Sequence, residues 1–197
     1  GGFAEMSVTL RLGYVPLLDA APLITAEALG FAEEEGLHFD LHAAPSWVSL
    51  RDMLAQGQVE AAHMLAPLPV AMALGLLRSP ARFEALSVLN LNGNVIGVSA
   101  ALANRLRAAG HGFDFADAFA AARALLGAGK TLRIGVPFAF SMHRELLHYW
   151  LGAVGADAAV LDTRTVPPPQ MAQALAAGEI DAFCVGEPWG SVAVETG

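Results

Sequence analysis

The sequence predicts an α/β protein of two lobes, each built on a βαβαβ unit with a parallel sheet. Three observations carry that expectation: a ten-residue phrase written twice, matched punctuation upstream of each copy, and strands that alternate with helices at short spacing. "AQGQVEAAHM" (55–64) and "AAGEIDAFCV" (176–185) share the order small residue, any residue, Gly, polar, β-branched, acid, Ala, and stand 121 positions apart. Upstream, "LRLGYVP" begins at Leu10 and "LRIGVPF" at Leu132, which are 47 and 46 residues before Gly57 and Gly178. Matched lengths together with matched punctuation mark an internal repeat.

Each element follows in order. In the first copy a β-rich strand ends at Pro16, and a helix covers about Ala21–Leu29. A Gly turn leads to the strand "LHFDLHAA", then Pro45, the helix "WVSLRDMLAQ", Gly57 and a third strand. In the second copy the strand ends at Pro137 and the helix covers about Met142–Gly152. The strand "AAVLDTRTV" follows, then Pro167–Pro169, the helix "PQMAQALAA", Gly178 and a third strand. Pro67 and Pro188 close the two copies, again 121 apart. Alternation at this spacing requires right-handed crossovers and parallel pairing. Between the copies, "NLNGNVIGVSA" (90–100) reads as a strand with a Gly turn, suited to a hinge. A helical insertion follows over about 100–130, with breaks at Gly110, Gly112, Gly127 and Gly129. The expected organisation is lobe I over 1–94, lobe II over 95–186, and a segment 187–197 returning towards lobe I.

Composition narrows the function. The net charge of −8 and the scattered placement of 11 basic residues argue against nucleic acid, whose phosphates need clustered Lys and Arg. Cys184 is the single cysteine and lies in an apolar run, where a packed thiol is the expectation. "GGFAEMSVTL" has neither a basic start nor an apolar core of a signal peptide, and Met6 reads as a natural start. These features point to a cytoplasmic protein, or to a periplasmic one if a signal has been removed. The uncharged stretch "AAHMLAPLPVAMALGLL" (61–77) carries two prolines and a histidine and reads as strand, Pro turn and helix, not as a membrane span.

In open parallel sheets, ligands bind beyond the carboxyl ends of the strands. Those loops are Val15–Ala21, Ala43–Trp47, His63–Pro69, Pro137–His143, Val166–Pro169 and Gly186–Trp189. His143 falls in the first turn of a helix whose inward face is expected to continue through Leu146, Leu147, Trp150 and Leu151; a structural role and a ligand contact are both open to it. His148 is five residues on, off the spacing that lets two helical histidines share a metal, so no metal site is expected. No cofactor is expected either. Trp47 and Trp189 are packing residues or donors: an indole N–H donates and cannot accept, which suits an anion. Asn92 and Asn94 either serve the turn at Gly93 or reach a ligand. Helix N-termini at Ala21, Trp47 and Met142 add backbone N–H groups. "LGAGKT" (126–131) lacks the first glycine of a phosphate loop, its place being taken by Ala124, and it precedes a strand. The acids of "FAEEEGLHFD" read as a solvated helix end.

The strings "LGYVPLLDAAPLITAEALGFAEEEGL", "APSWVSLRDMLAQGQVEAAHMLAPLPVAMALG", "NGNVIGVS", "FSMHRELLHYWL" and "AAGEIDAFCVGEPW" together resemble the nitrate- and bicarbonate-binding proteins of ABC importers. They are most similar to cytoplasmic relatives that sense nitrate or nitrite for bacterial nitrate-assimilation operons. The likeness spans about residues 8–197. It implies a periplasmic-binding-protein fold of the second type, closing over an oxyanion between its lobes. It also implies ligand contacts from the loop of Ser46 and Trp47, from the segment Asn92, Gly93 and Asn94, and from His143. Glu187, in the Glu-Pro-Trp motif, joins them as a candidate from its strand-end loop. The importer form carries Gln where this chain has the shorter Asn94. Family members continue past Glu-Pro-Trp to a charged ligand residue, so the resemblance implies residues of lobe I beyond Gly197. The partners implied are a small inorganic anion with an ABC permease, or with an antitermination regulator.

The leading expectation is thus a solute-binding protein for nitrate or nitrite without turnover, with bicarbonate as the alternative anion. A different class shares this fold: enzymes of thiamine-pyrimidine or menaquinone synthesis. They would need a positioned base, and the strand-end loops offer His143, His63 and Glu187 without a surrounding motif.

Overall fold

A computed structural model describes residues 7–128, 131–157 and 160–196. The Gly-Gly start with Met6, Gly129 of the insertion, Lys130 of "LGAGKT", the first two residues of "AAVLDTRTV" and Gly197 lie outside them. The chain divides into two units after Gly93.

In the first unit, β1 (Val8–Tyr14) runs into a 3-10 turn (Leu18–Ala20), α1 (Ala21–Ala28) and α2 (Phe31–Glu34). β2 (Leu37–Ala43), α3 (Trp47–Ala55), β3 (Ala61–Ala62) and α4 (Pro67–Ala73) follow. The sheet order is β2-β1-β3 and every pairing is parallel, with Val8 opposite Leu37 and Leu12 opposite Ala61. The third strand, expected from the repeat, is present but only two residues long. Pro67 lies at the start of α4, where a missing N–H costs nothing.

The second unit contains β4 (Asn94–Val98), α5 (Ala100–Ala108), α6 (Ala118–Gly127), β5 (Leu132–Val136) and α7 (Met142–Gly152). β6 (Leu161–Thr165), a 3-10 turn (Pro168–Gln170), α8 (Met171–Ala176), β7 (Ala182–Gly186) and α9 (Trp189–Thr196) complete it. The order is β4-β7-β5-β6. β5 is parallel to both β6 and β7, whereas β4 is antiparallel to β7. The α/β class and the parallel βαβαβ core of each unit are as the sequence predicts; the antiparallel edge strand is an addition. It begins at Asn94, directly after the turn made by Asn92 (φ 69°) and Gly93 (φ 90°).

The doubled phrase has a structural reason. Gly57 and Gly178 take φ of 71° and 69°, a left-handed turn that a side chain resists, and each ends a helix. The acid three residues later receives an arginine from the first strand of its own sheet. Arg133 donates from Nη1 to Gly178 O (2.7 Å), from Nε to Asp181 Oδ2 (3.0 Å) and from Nη2 to Oδ1 (2.8 Å). Arg11 donates from Nη2 to Gly57 O (3.3 Å) and pairs with Glu60 through both Nε and Nη2. The backbones reciprocate, Glu60 N–H to Arg11 O at 2.9 Å and Asp181 N–H to Arg133 O at 2.8 Å. The clasp fixes the register of the third strand on the first. The β-branched residue of each phrase, Val59 or Ile180, is buried.

The sheet of the second unit is covered on both faces, as parallel strands with helical crossovers require. Along β7, Ala182 and Cys184 join a core with Leu102, Leu106, Leu125, Ile134, Leu147 and Leu151, while Phe183 and Val185 face Met171 and Ile180. This is the period-two alternation of a strand. Full burial of a Leu or Ile side chain contributes about 1.5–3 kcal/mol. The insertion helices α5 and α6 therefore belong to this core. Trp150 Nε1 donates to Ala118 O (2.9 Å) and ties α7 to α6. Leu146 departs from the expected inward face: His143, Leu147 and Leu151 are buried on one stripe, and Leu146, about 100° round the helix from the middle of that stripe, is exposed. Burial pushes the Cys184 thiol up to about 12, so it is a neutral packing group.

Candidate functional site

In the first unit the loops after all three parallel strands converge on one buried polar cluster. Asp19 comes from the turn after β1, Trp47 from the loop after β2, and His63 directly follows β3. His63 is anchored by its N–H, which donates to Gly13 O at 2.9 Å. Its Nε2 lies 3.2 Å from Asp19 Oδ2, and its ring packs edge-on to Trp47 with centroids 5.0 Å apart and planes at 62°. Trp47 is 0% exposed and His63 5%. Trp47 Nε1, His63 Nδ1 and Asp19 Oδ1 are all buried without a hydrogen-bond partner among the described residues. Buried polar groups are ordinarily satisfied, because an unmade bond costs about 1–3 kcal/mol. Three such atoms on touching side chains make this cluster the candidate site of the first unit.

The second unit shows a related feature at the start of α7. Ser46, Ser99 and Asp117 each precede a helix and cap it, accepting from Ser49 N, Leu102 N and Ala120 N at 3.1, 3.2 and 2.8 Å. Ser141 precedes α7 in the extended conformation that Ser46 and Ser99 share but makes no cap bond. Its Oγ is buried and unpartnered among the described residues. His143 is buried in the first turn of the same helix. β5 ends just before this loop, and β7 beside it ends at Gly186, opposite Asn94. Ser141, His143, Asn94 and Glu187 thus share the carboxyl edge of one sheet.

The remaining residues expected from the sequence fall as follows. Ser46 spends its hydroxyl on the α3 cap. Glu187 accepts from Ser191 N (3.0 Å) and so caps α9. Asn92 and Gly93 form the positive-φ turn and are exposed, and Asn94 opens β4. His63 appeared in the sequence only as a possible base, and Asp19 only within a quoted string. Both stand in strand-end loops, which is the signal that could have singled them out. Among the described residues no cluster of three or more His, Cys, Asp or Glu could hold a metal, and no helix is long and apolar enough to cross a membrane.

Comparison with known proteins gives the family and the fold. The chain is 35% identical to the nitrate import ATP-binding protein NrtC of Synechocystis sp., over 99% of this chain and 28% of that protein. It is 37% identical to the bicarbonate transport ATP-binding protein CmpC of Synechococcus elongatus, over 95% of this chain and 28% of that one. It superposes on the crystal structure of the periplasmic nitrate-binding protein NrtA from Synechocystis with a TM-score of 0.81 at 29% identity, covering 96% of this chain and 49% of that chain. The chain therefore spans about half of the nitrate-binding structure and under a third of the two ATP-binding relatives. The fold is that of the periplasmic-binding proteins, and the two relatives are named for nitrate import and bicarbonate transport. The model of the NMT1-like family matches residues 4–197, and the chain belongs to that family.

Proposed function

We propose that this protein binds a small oxyanion, nitrate or nitrite, as the solute-binding part of an ABC importer, without transforming it. The observation that carries the reading is the indole N–H of Trp47, fully buried and without an acceptor among the described residues, beside a second donor-capable ring. Nitrate and nitrite accept hydrogen bonds and cannot donate them, so they complement such a group. Within the second unit, Ser141 Oγ and the first turn of α7 with His143 form a polar set of their own, where a helix N-terminus favours negative charge. Asn94 belongs to the same edge. Ser46 and Glu187 act through the helices they cap, and Asn92 and Gly93 through the turn that places Asn94.

The importer reading replaces the cytoplasmic sensor expected from the sequence: the relatives above are named for nitrate import and bicarbonate transport, and the nitrate-binding structure is a periplasmic protein. The partner is accordingly an ABC permease, not an antitermination regulator. Bicarbonate is the second reading, favoured by the 37% identity to the bicarbonate transport protein. Enzymatic turnover of a thiamine-pyrimidine or menaquinone precursor has no support from these relatives.

Calorimetric titration of the purified protein with nitrate, nitrite and bicarbonate tests the reading. Saturable nitrate or nitrite binding supports it, bicarbonate alone moves the protein to the carbon-uptake branch, and silence from all three overturns the oxyanion role.

A further inference from the structure

We propose that anion binding beside Trp47 is coupled to uptake of one proton by His63, with Asp19 holding the imidazolium. The inference rests on the oxyanion reading above and concerns the acid-base state of that site. Whichever tautomer the neutral imidazole adopts, one of its nitrogens is an acceptor. An anion brought to Trp47 Nε1–H then meets two electron-rich neighbours, that ring nitrogen and the Asp19 carboxylate 3.2 Å from the ring. In a site with Trp47 and His63 both more than nine-tenths buried, two uncompensated negative groups repel strongly. One proton from solvent added to His63 removes the conflict. Both ring nitrogens then donate, Nε2–H towards Asp19 and Nδ1–H towards an acceptor, and the anion–imidazolium–carboxylate set carries one negative charge instead of two. No bond within the anion is made or broken.

The surrounding charges leave this duty to His63. β1 contributes Arg11, paired with Glu60 from the approach to β3, and Tyr14 at its end. α3 contributes Arg51 and Asp52, paired with each other at 2.6 Å. Asp19 is the charged group found in contact with His63 among the described residues. Its second oxygen, Oδ1, is buried and unpartnered among the described residues.

The same geometry separates anions by whether they bring a proton. Nitrate and nitrite bring none, so the site must take one up. Bicarbonate carries an O–H that Asp19 Oδ1 can accept, and needs no uptake. Acid conditions therefore favour nitrate over bicarbonate, and by linkage the anion in turn favours the imidazolium.

The test is titration of the wild-type protein with nitrate or nitrite at pH 8 in two buffers of different ionisation enthalpy. The expected result is uptake approaching one proton per anion, an affinity that falls up to about tenfold per pH unit on the alkaline side, and 15N shifts of the His63 ring moving to the imidazolium pattern on binding. H63Q should abolish the uptake, and D19N should reduce it and flatten the pH slope. Binding with no proton uptake from pH 6 to 9 and an unshifted His63 ring overturns this inference and leaves the oxyanion reading standing. No binding of nitrate, nitrite or bicarbonate overturns both.

Discussion

Arg133 and Asp181 form a two-pronged pair, Nε to Oδ2 at 3.0 Å and Nη2 to Oδ1 at 2.8 Å, with the Arg133 backbone N–H adding a third bond to Oδ2 at 3.1 Å. Arg11 and Glu60 repeat the arrangement in the other unit, the backbone bond measuring 2.7 Å. A residue pair separated by about fifty positions thus fixes where each third strand enters its sheet.

The two clasps should differ in weight. Asp181 is 13% exposed and Glu60 43%, so solvent screens the Arg11 pair more. D181N is expected to lower the melting temperature more than E60Q, as read by calorimetric melts. The Glu60 pair also predicts a pH response. The hydrogen bond from Arg11 is the first cause holding the Glu60 carboxyl below its ordinary value. A carboxyl depressed in the folded state stabilises above its unfolded value, and that contribution is lost as pH falls through the folded one. The melting difference between wild type and E60Q should be present at pH 7, begin to shrink as pH falls below the unfolded carboxyl's value of about 4.3, and vanish only below the folded one.

Gly135 allows Ile180 and Met171 to close on β5. A Cβ there would lie 2.8 Å from Ile180 Cδ1 and 2.9 Å from Met171 Sδ. G135V is expected to destabilise by about 1–3 kcal/mol through overpacking. G112A has nothing within 4 Å and should change stability little. Denaturant unfolding of the two variants provides the comparison.

Ser141 should separate stability from binding. Its buried hydroxyl has no partner among the described residues, so S141A removes an unsatisfied group and should leave stability unchanged or raise it by about 1 kcal/mol. Anion affinity should fall. A serine that merely fills space would show neither a stability gain nor an affinity loss.

Much of this architecture was legible because it is local or repeated. The order of strands and helices follows from hydrophobic runs bounded by Gly and Pro, and the doubled phrase marks the turn, the buried Val59 or Ile180 and the clasp acid together. What was not legible depends on strand order and on distant pairing. The antiparallel placement of β4 against β7 joins residues about ninety positions apart, and no local pattern encodes its direction. The meeting of Asp19, Trp47 and His63 likewise follows only once β1 is known to lie between β2 and β3. Ser46 and Glu187 failed to stand out as caps because a polar residue at a helix start serves a cap or a ligand with the same sequence signature. Leu146 was misplaced by extending an apolar stripe one residue too wide.

The central claim is that the buried indole N–H of Trp47 exists for an anion and not for the core. W47F keeps an aromatic ring in that place and deletes the donor. Nitrate and nitrite affinity should fall about ten- to a hundredfold, the loss of one charge-assisted hydrogen bond, beyond the loss of stability that the smaller ring brings to a fully buried place. Unchanged affinity with a lowered melting temperature would make Trp47 a packing residue and contradict the account.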